Sequence, residues 1–249
     1  MNTNISTTAI DPKEILSFRK IAVITGVIFI IATVAGFVAD ALTPVLTGTD
    51  YLTRFPAHTT QVAAGVLFRL VAAFASGGIA IAMYPVMKGS NAGLALGSVV
   101  FRTIETVFYI VGLVTLLTLG QQFTTAGVAD RTSLQAIGNL LVSVRDNAAL
   151  LAVFAFCLGA FMYYYLFFQS RLIPRWLSGF GIVAIILMMT ACVLSLFSGN
   201  RITSYIPLAF PIFLQEMVLA VWLIAKGFNP SAIASRSAKT ATNELLSAA

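Results

Sequence analysis

The stretch "FRTIETVFYIVGLVTLL" (residues 101–117) is almost wholly apolar, yet it carries an arginine and a glutamate near its start. Arg102 and Glu105 are three residues apart, so in a helix they share one face. A transmembrane helix needs about 20 mostly apolar residues, and a charge near the bilayer centre costs about 2.5–3.5 kcal/mol even on the gentlest scale. Both side chains are therefore expected to face other helices or a wet cavity, not lipid.

The composition of the whole chain is that of an integral membrane protein. Of 249 residues, 59% are hydrophobic and 10% are charged, whereas a soluble domain carries about 25% charged residues. Lysine and arginine exceed the acidic residues by 15 to 9. These basic residues stand singly or in pairs between apolar segments, which indicates the lipid bilayer as the partner and not nucleic acid.

Six segments are long and apolar enough to cross a membrane, so the sequence predicts an all-α, polytopic bundle of six transmembrane helices. The segments are 20–40, 61–87, 92–118, 147–169, 175–198 and 204–227. The longest predicted external loop covers 119–146. Within it, "SLQAIGNLLVSV" (133–144) has apolar residues at helical spacing and predicts an amphipathic external helix that lies on the outer surface or caps the bundle.

The distribution of basic residues predicts the orientation, because lysine and arginine concentrate on the cytoplasmic side. One side has nine, Lys13, Arg19, Lys20, Lys88, Arg171, Arg175, Lys226, Arg236 and Lys239, and the other has four, Arg54, Arg131, Arg145 and Arg201. We therefore predict a multi-pass membrane protein with both termini in the cytoplasm. The expected organisation is a cytoplasmic segment (1–18), a six-helix membrane domain (19–228) and a disordered cytoplasmic tail (229–249).

Enzymatic constellations are missing from the sequence. His58 is the single histidine, and Cys157 and Cys192 lie in apolar runs as small core residues. No Walker loop, dinucleotide-type glycine pattern or Gly-x-Ser-x-Gly elbow is present. No span contains a histidine, and none contains a lysine away from its ends, that could activate a serine. We predict no metal and no cofactor, and an enzyme is the least favoured class.

Four ionisable residues lie well inside the predicted spans, and they define the candidate site. With the polar neighbours on their helices they form a predicted buried cluster joining helices two, three and six: Arg69, Arg102, Glu105, Tyr109, Gln215 and Glu216. Two interpretations stay open. The charges are permanent ion pairs that fix helix register in a structural or regulatory subunit, or they line a cavity that binds or transports a small solute, lipid or proton.

Other polar and aromatic residues are assigned to the membrane boundaries. Asp40 and Asp146 are interpreted as boundary residues, or alternatively as the mouth of an outward cavity. The run "MYYYLFF" (162–168), together with Trp176 and Trp222, predicts an interfacial aromatic belt.

Three stretches together resemble a known family. They are "AMYPVMKGSNAGLALGSVVFRTIETV", "FQSRLIPRWLSGFGIV" and "FPIFLQEMVLAVWLIAKGFNP". In order and spacing they resemble the bacterial membrane family called domain of unknown function 4386, from about residue 17 to 230. The most specific matches are Arg102, Glu105, Gln215, Glu216, Trp222, Lys226 and Gly227. The resemblance implies a multi-helix protein of a bacterial inner membrane, and it brings no established activity.

The predicted topology can be tested by cysteine labelling in a variant whose two native cysteines are replaced by alanine. Cysteines introduced at Lys88 and Arg171 are expected to react with a membrane-impermeant reagent only from the cytoplasmic side. A cysteine at Thr132 is expected to react only from the outside. A reporter fusion that places the C-terminus outside would contradict this topology.

Overall fold

The computed structural model describes residues 12–43, 58–125 and 131–235. Its six long helices are α1 (Pro12–Leu42), α2 (Thr59–Met87), α3 (Ala92–Thr125), α4 (Arg131–Ser170), α5 (Arg175–Ser198) and α6 (Ile206–Ala225). A short 3-10 helix, Ile202–Tyr205, leads into α6. The described residues contain no strand, and six of their helical stretches are long and apolar enough to cross a membrane. The predicted all-α, six-helix membrane bundle is confirmed.

Each helix packs against its neighbours in sequence, and α1 also packs against α6, which closes the bundle. The helices alternate in direction. We call one end of the bundle the basal end: it holds the start of α1, the turns 88–91 and 171–174, and the end of α6. The opposite end, where α1 and α5 finish, is the distal end.

Helix α4 occupies the core of the bundle. In its most apolar stretch 56% of residues are buried, against 28–33% for the other five spans. Its basal half carries Tyr163, Tyr164 and Phe167, whose side chains have no exposed surface. The other helices therefore surround α4 on several sides and leave much of their own surface to lipid.

The predicted external loop 119–146 is wrong in its secondary structure. Helix α3 continues to Thr125, and 133–144 is the beginning of α4, not a separate surface helix. No proline lies between Pro85 and Pro174 to end either helix. At 1.5 Å per residue α3 and α4 are about 51 and 60 Å long, well beyond the roughly 30 Å hydrocarbon core. At the distal end a small cluster of apolar side chains packs α2, α3 and α4 together: Val62, Leu116, Leu119, Leu141 and Val142.

The described chain is helical on both sides of the predicted membrane domain (19–228). Helix α1 runs without interruption from Pro12 into the bundle. After α6, residues 230–235 are helical, and Ile233 is buried in the main apolar core. Ordered structure thus extends past residue 228, and residues 236–249 of the predicted tail lie outside the described part.

A glycine allows α1 and α6 to pack closely. A Cβ added to Gly26 would lie 2.7 Å from the backbone oxygen of Ala220 and 2.7 Å from Cγ1 of Ile224. Gly78, also in the middle of a helix, differs: the nearest atom to its added Cβ would be Cγ2 of Ile28 at 3.9 Å. Small residues at such contacts are the usual means of helix association in lipid.

We expect Gly26→Ala to destabilise the protein and Gly78→Ala to leave it unchanged or slightly more stable. Both changes bring the same helix-propensity gain, up to about 1 kcal/mol. Only the first forces a methyl group against a backbone carbonyl, and such overpacking costs about 1–3 kcal/mol. Unfolding of both purified variants by a denaturing detergent measures the difference. Equal stabilities would contradict the close α1–α6 contact.

Candidate functional site

Helix α3 presents a polar stripe to the interior of the bundle. Ser98, Arg102, Glu105 and Thr106 are buried, and Tyr109, one turn beyond Glu105, is half-buried. The stripe is held against α2 by Thr106, whose hydroxyl lies 3.0 Å from the carbonyl oxygens of both Ala73 and Arg102. The absence of a side chain at Gly77 makes room, because an added Cβ would lie 2.8 Å from that hydroxyl.

Arg102 and Glu105 form a buried ion pair. The Nη1 atom of Arg102 lies 3.0 Å from Oε2 of Glu105, and the two residues are only 1% and 3% exposed. Ser76 of α2 donates a hydrogen bond to Oε1 of Glu105 at 2.7 Å. The guanidinium of Arg102 lies over the ring of Phe156, 4.8 Å from its centroid. Three helices therefore fix the position of this pair.

The ion pair keeps hydrogen-bonding capacity that the described residues do not satisfy. Nε and Nη1 of Arg102 and Oε2 of Glu105 are buried and have no hydrogen-bond partner there, because the contact between Nη1 and Oε2 does not have hydrogen-bond geometry. Buried polar atoms are nearly always paired, and leaving one unpaired costs about 1–3 kcal/mol, or more for a charged group. These three atoms are therefore suited to bind a further polar group.

A cavity of about 240 Å³ adjoins these atoms, and all six helices contribute to its wall. We call it the central cavity. Its polar lining is Thr33, Arg69, Ser76, Arg102, Glu105, Tyr109 and Glu216. The volume is below the roughly 300–1,000 Å³ of sites for drug-sized ligands, and far above the 10–15 Å³ needed for one water. It is the size of a small solute or of a group of waters.

Glu216 of α6 contributes a carboxyl group without an ion-pair partner. Among the described residues no basic side chain comes within 4.0 Å of it, and its polar contact is a long hydrogen bond, 3.5 Å, donated by the hydroxyl of Tyr163. Its neighbour Gln215 points away from the central cavity. Gln215 accepts a hydrogen bond from Tyr164 and donates one to the carbonyl oxygen of Leu177 at 3.2 Å.

Arg69 lines the central cavity, but its ion-pair partner is not one of the glutamates, as the predicted cluster required. It pairs with Asp40 of α1. The antiparallel packing of α1 and α2 brings Asp40 beside Arg69, and the pair lies toward the distal end, where the side chain of Asp40 is 68% exposed. Arg69 therefore has a solvated counterion and does not compete for Glu105.

The structure brings five of the six predicted site residues to one cavity and leaves out Gln215. It also adds two tyrosines that the sequence interpretation had placed in an aromatic belt. Tyr163 and Tyr164 are fully buried and bond to Glu216 and Gln215, so that part of the belt is wrong. Successive helix residues point about 100° apart. Three consecutive tyrosines on one helix therefore cannot all face the membrane surface. This spacing is the sequence signal that some members of the run are buried.

Asp146 does not line the central cavity. Its carboxylate pairs with Arg145 at 2.8 Å and with Arg201 at 2.7 Å. It connects α4 to the segment between α5 and α6 at the distal end.

The fold and site define an integral membrane protein: a six-helix bundle with a charged internal cavity. The chain belongs to the family described as Domain of unknown function (DUF4386), whose sequence model matches residues 24–227. The predicted family resemblance is confirmed. Comparisons with curated proteins and with solved structures found no match.

The ion pair can be tested by a double-mutant cycle. We expect Glu105→Gln and Arg102→Gln each to lower the free energy of unfolding, because breaking a buried pair costs about 3–5 kcal/mol in soluble proteins, and less where water reaches the charge. The double variant should recover part of the loss.

The pair of Arg69 and Asp40 provides the control, because its side chains are 29% and 68% exposed. Asp40→Asn and Arg69→Gln should each change stability by no more than about 1 kcal/mol, as for other exposed ion pairs. Unfolding titrations in detergent measure both cycles. Additive losses for Arg102 and Glu105 would show that the two side chains are not coupled.

Proposed function

We propose that this protein binds a small polar solute in the central cavity and transports it across the membrane. The observation that carries the proposal is the set of buried, unpaired hydrogen-bonding atoms on Arg102 and Glu105 at the wall of that cavity. A solute that accepts hydrogen bonds from Arg102 and donates one to Glu105 would satisfy all three atoms. A pair that only fixed helix register would have no need of this capacity.

The charge balance favours a solute that carries hydrogen-bond donors or a positive charge as well as an acceptor. Arg102 is paired with Glu105 and Arg69 with Asp40, so these charges cancel. Glu216 remains as a carboxyl without a cation. An amide or a small amine with an acceptor oxygen matches this arrangement, and the cavity volume of about 240 Å³ favours a small solute over a whole lipid.

The position of the cavity supports access from the distal end. Gly36 and Arg69 line it on that side, and the ion-pair partner of Arg69 is exposed. Toward the basal end the interior is filled by fully buried side chains: Met83, Met87, Tyr163, Tyr164 and Phe167. Transport would require these side chains to separate, so this conformation corresponds to one that is closed at the basal end.

Proton transfer is a second candidate, favoured by one contact. The carboxyl group of Glu216 meets the hydroxyl of Tyr163, and Tyr163 packs on Tyr164 with ring centroids 4.4 Å apart. The hydroxyl of Tyr163 is therefore a polar group next to the cavity wall, on its basal side. The structural-subunit interpretation is the remaining alternative.

The test is an unbiased search by mass spectrometry for small molecules released from the purified protein. We expect a small, donor-bearing compound to be enriched with the wild-type protein and to fall about tenfold with Glu216→Gln, since a hydrogen bond to a charged group contributes about 1.5–3 kcal/mol. Asp146→Asn is the matched control, because it neutralises a carboxylate outside the central cavity and should retain the compound.

The Arg102→Gln/Glu105→Gln double variant separates the interpretations. If the cluster binds a solute, stability should return in part while the compound stays lost. If the cluster only fixes packing, restored stability should restore every function of the protein. Equal enrichment in the wild type and Glu216→Gln, or no enriched compound at all, would contradict solute binding at this cavity.

A further inference from the structure

A second cavity, of about 560 Å³, lies at the basal end between the turn 171–174 and the chain that follows α6. We call it the basal pocket. Its polar and aromatic lining comprises Arg171, Arg175, Trp222, Lys226, Phe228 and Asn229. It shares no lining residue with the central cavity.

The walls of the basal pocket are held together by two hydrogen bonds from Asn229 to backbone carbonyl groups. The backbone N–H of Asn229 donates to the carbonyl oxygen of Leu172 at 2.8 Å, and its side-chain amide donates to that of Arg171 at 3.4 Å. Gly227, with φ of 75°, turns the chain out of α6 toward this contact. Hydrogen bonds therefore link the two chain segments that form the pocket.

The basal pocket carries an uncompensated positive charge. Arg171, Arg175 and Lys226 line it, and none of its lining residues is acidic. No carboxylate of the described chain lies within ion-pair distance of any of the three. A fourth cation, Arg19, is engaged elsewhere, because it donates to the carbonyl oxygens of Leu223 and Ile224 at the end of α6.

Neighbouring aromatic rings place this charge at the membrane boundary. The guanidinium of Arg175 lies 5.4 Å from the ring centroid of Phe168. Trp222 in the pocket wall packs edge-to-face on Trp176, with centroids 6.3 Å apart, and Trp176 is 59% exposed. Tryptophan at the end of a transmembrane helix lies at the level of the lipid headgroups.

We propose that the basal pocket binds an anionic phosphate group, carried either by a phospholipid headgroup or by a water-soluble phosphate ester. Arginine matches the geometry of phosphate oxygens through paired N–H groups, and lysine adds a compact charge. The pocket holds both residue types, lacks competing carboxylates and lies where headgroups lie. This site is independent of solute binding in the central cavity.

The two tryptophans of the chain provide a native reporter, because Trp222 lines the pocket and Trp176 packs against Trp222. The protein in a non-ionic detergent is titrated with short-chain phosphatidylglycerol, with short-chain phosphatidylcholine, and with glycerol 3-phosphate. We expect a saturable fluorescence change with phosphatidylglycerol and a much weaker one with the zwitterionic phosphatidylcholine. Competition by glycerol 3-phosphate would show that phosphate alone suffices, and its failure would assign the site to lipid.

Variants locate the binding. At about 1 kcal/mol for each basic residue near a phosphate, the Arg171→Gln/Arg175→Gln/Lys226→Gln variant should bind phosphatidylglycerol about 100-fold more weakly. Lys226→Gln alone should bind about fivefold more weakly, and it serves if the triple variant does not fold. Lys88→Gln is the matched control, because it removes an exposed basic residue from the same end but outside the pocket.

Three outcomes would overturn the proposal. The first is unchanged affinity in the pocket variants, and the second is an equal loss in Lys88→Gln, which would mean general attraction to a basic surface. The third is equal binding of phosphatidylcholine and phosphatidylglycerol. None of these outcomes bears on the solute search, so the two proposals fail or succeed separately.

Discussion

The burial of Arg102 and Glu105 is the constraint on which the rest of the bundle depends. An ion pair in a medium of low dielectric constant is tolerable only if it is positioned and hydrogen-bonded. Ser76 supplies one bond, and Gly159 of α4 leaves a groove for the arginine stem, since an added Cβ would lie 3.1 Å from Cγ of Arg102. The packing of α3 between α2 and α4 is therefore arranged around this pair.

The basal side of the interior is filled by tyrosines, which bring buried hydroxyl groups as well as aromatic rings. Tyr163 and Tyr164 fill space as Phe167 does, yet each hydroxyl group needs a partner when buried. The partners are the adjacent side chains Glu216 and Gln215 on α6. The packed layer on the basal side of the central cavity therefore also contains two polar contacts between α4 and α6.

The spans and the polar stripe of α3 were predictable because they depend on local pattern and on the cost of charge in lipid. The partner of Arg69 was not, since it depends on how far α1 extends beside α2, and Asp40 looked like a boundary residue. The length of α3 and α4 was missed for a different reason. Hydropathy predicts the extent of the apolar segment. These two helices continue past their apolar segments, and no proline ends them.

The cations of the central cavity have acidic partners and those of the basal pocket do not. This difference follows from the position of each cavity, one in the middle of the bundle and the other at its end. In the central cavity each arginine has an acidic partner, because an unpaired cation there would oppose insertion. At the basal pocket Arg171, Arg175 and Lys226 lie near water and need no counterion. The same residues belong to the majority in the predicted positive-inside count. The basic residues on which the predicted orientation depends therefore also form a positively charged concave surface in the folded bundle, where a hydrogen bond joins two turns.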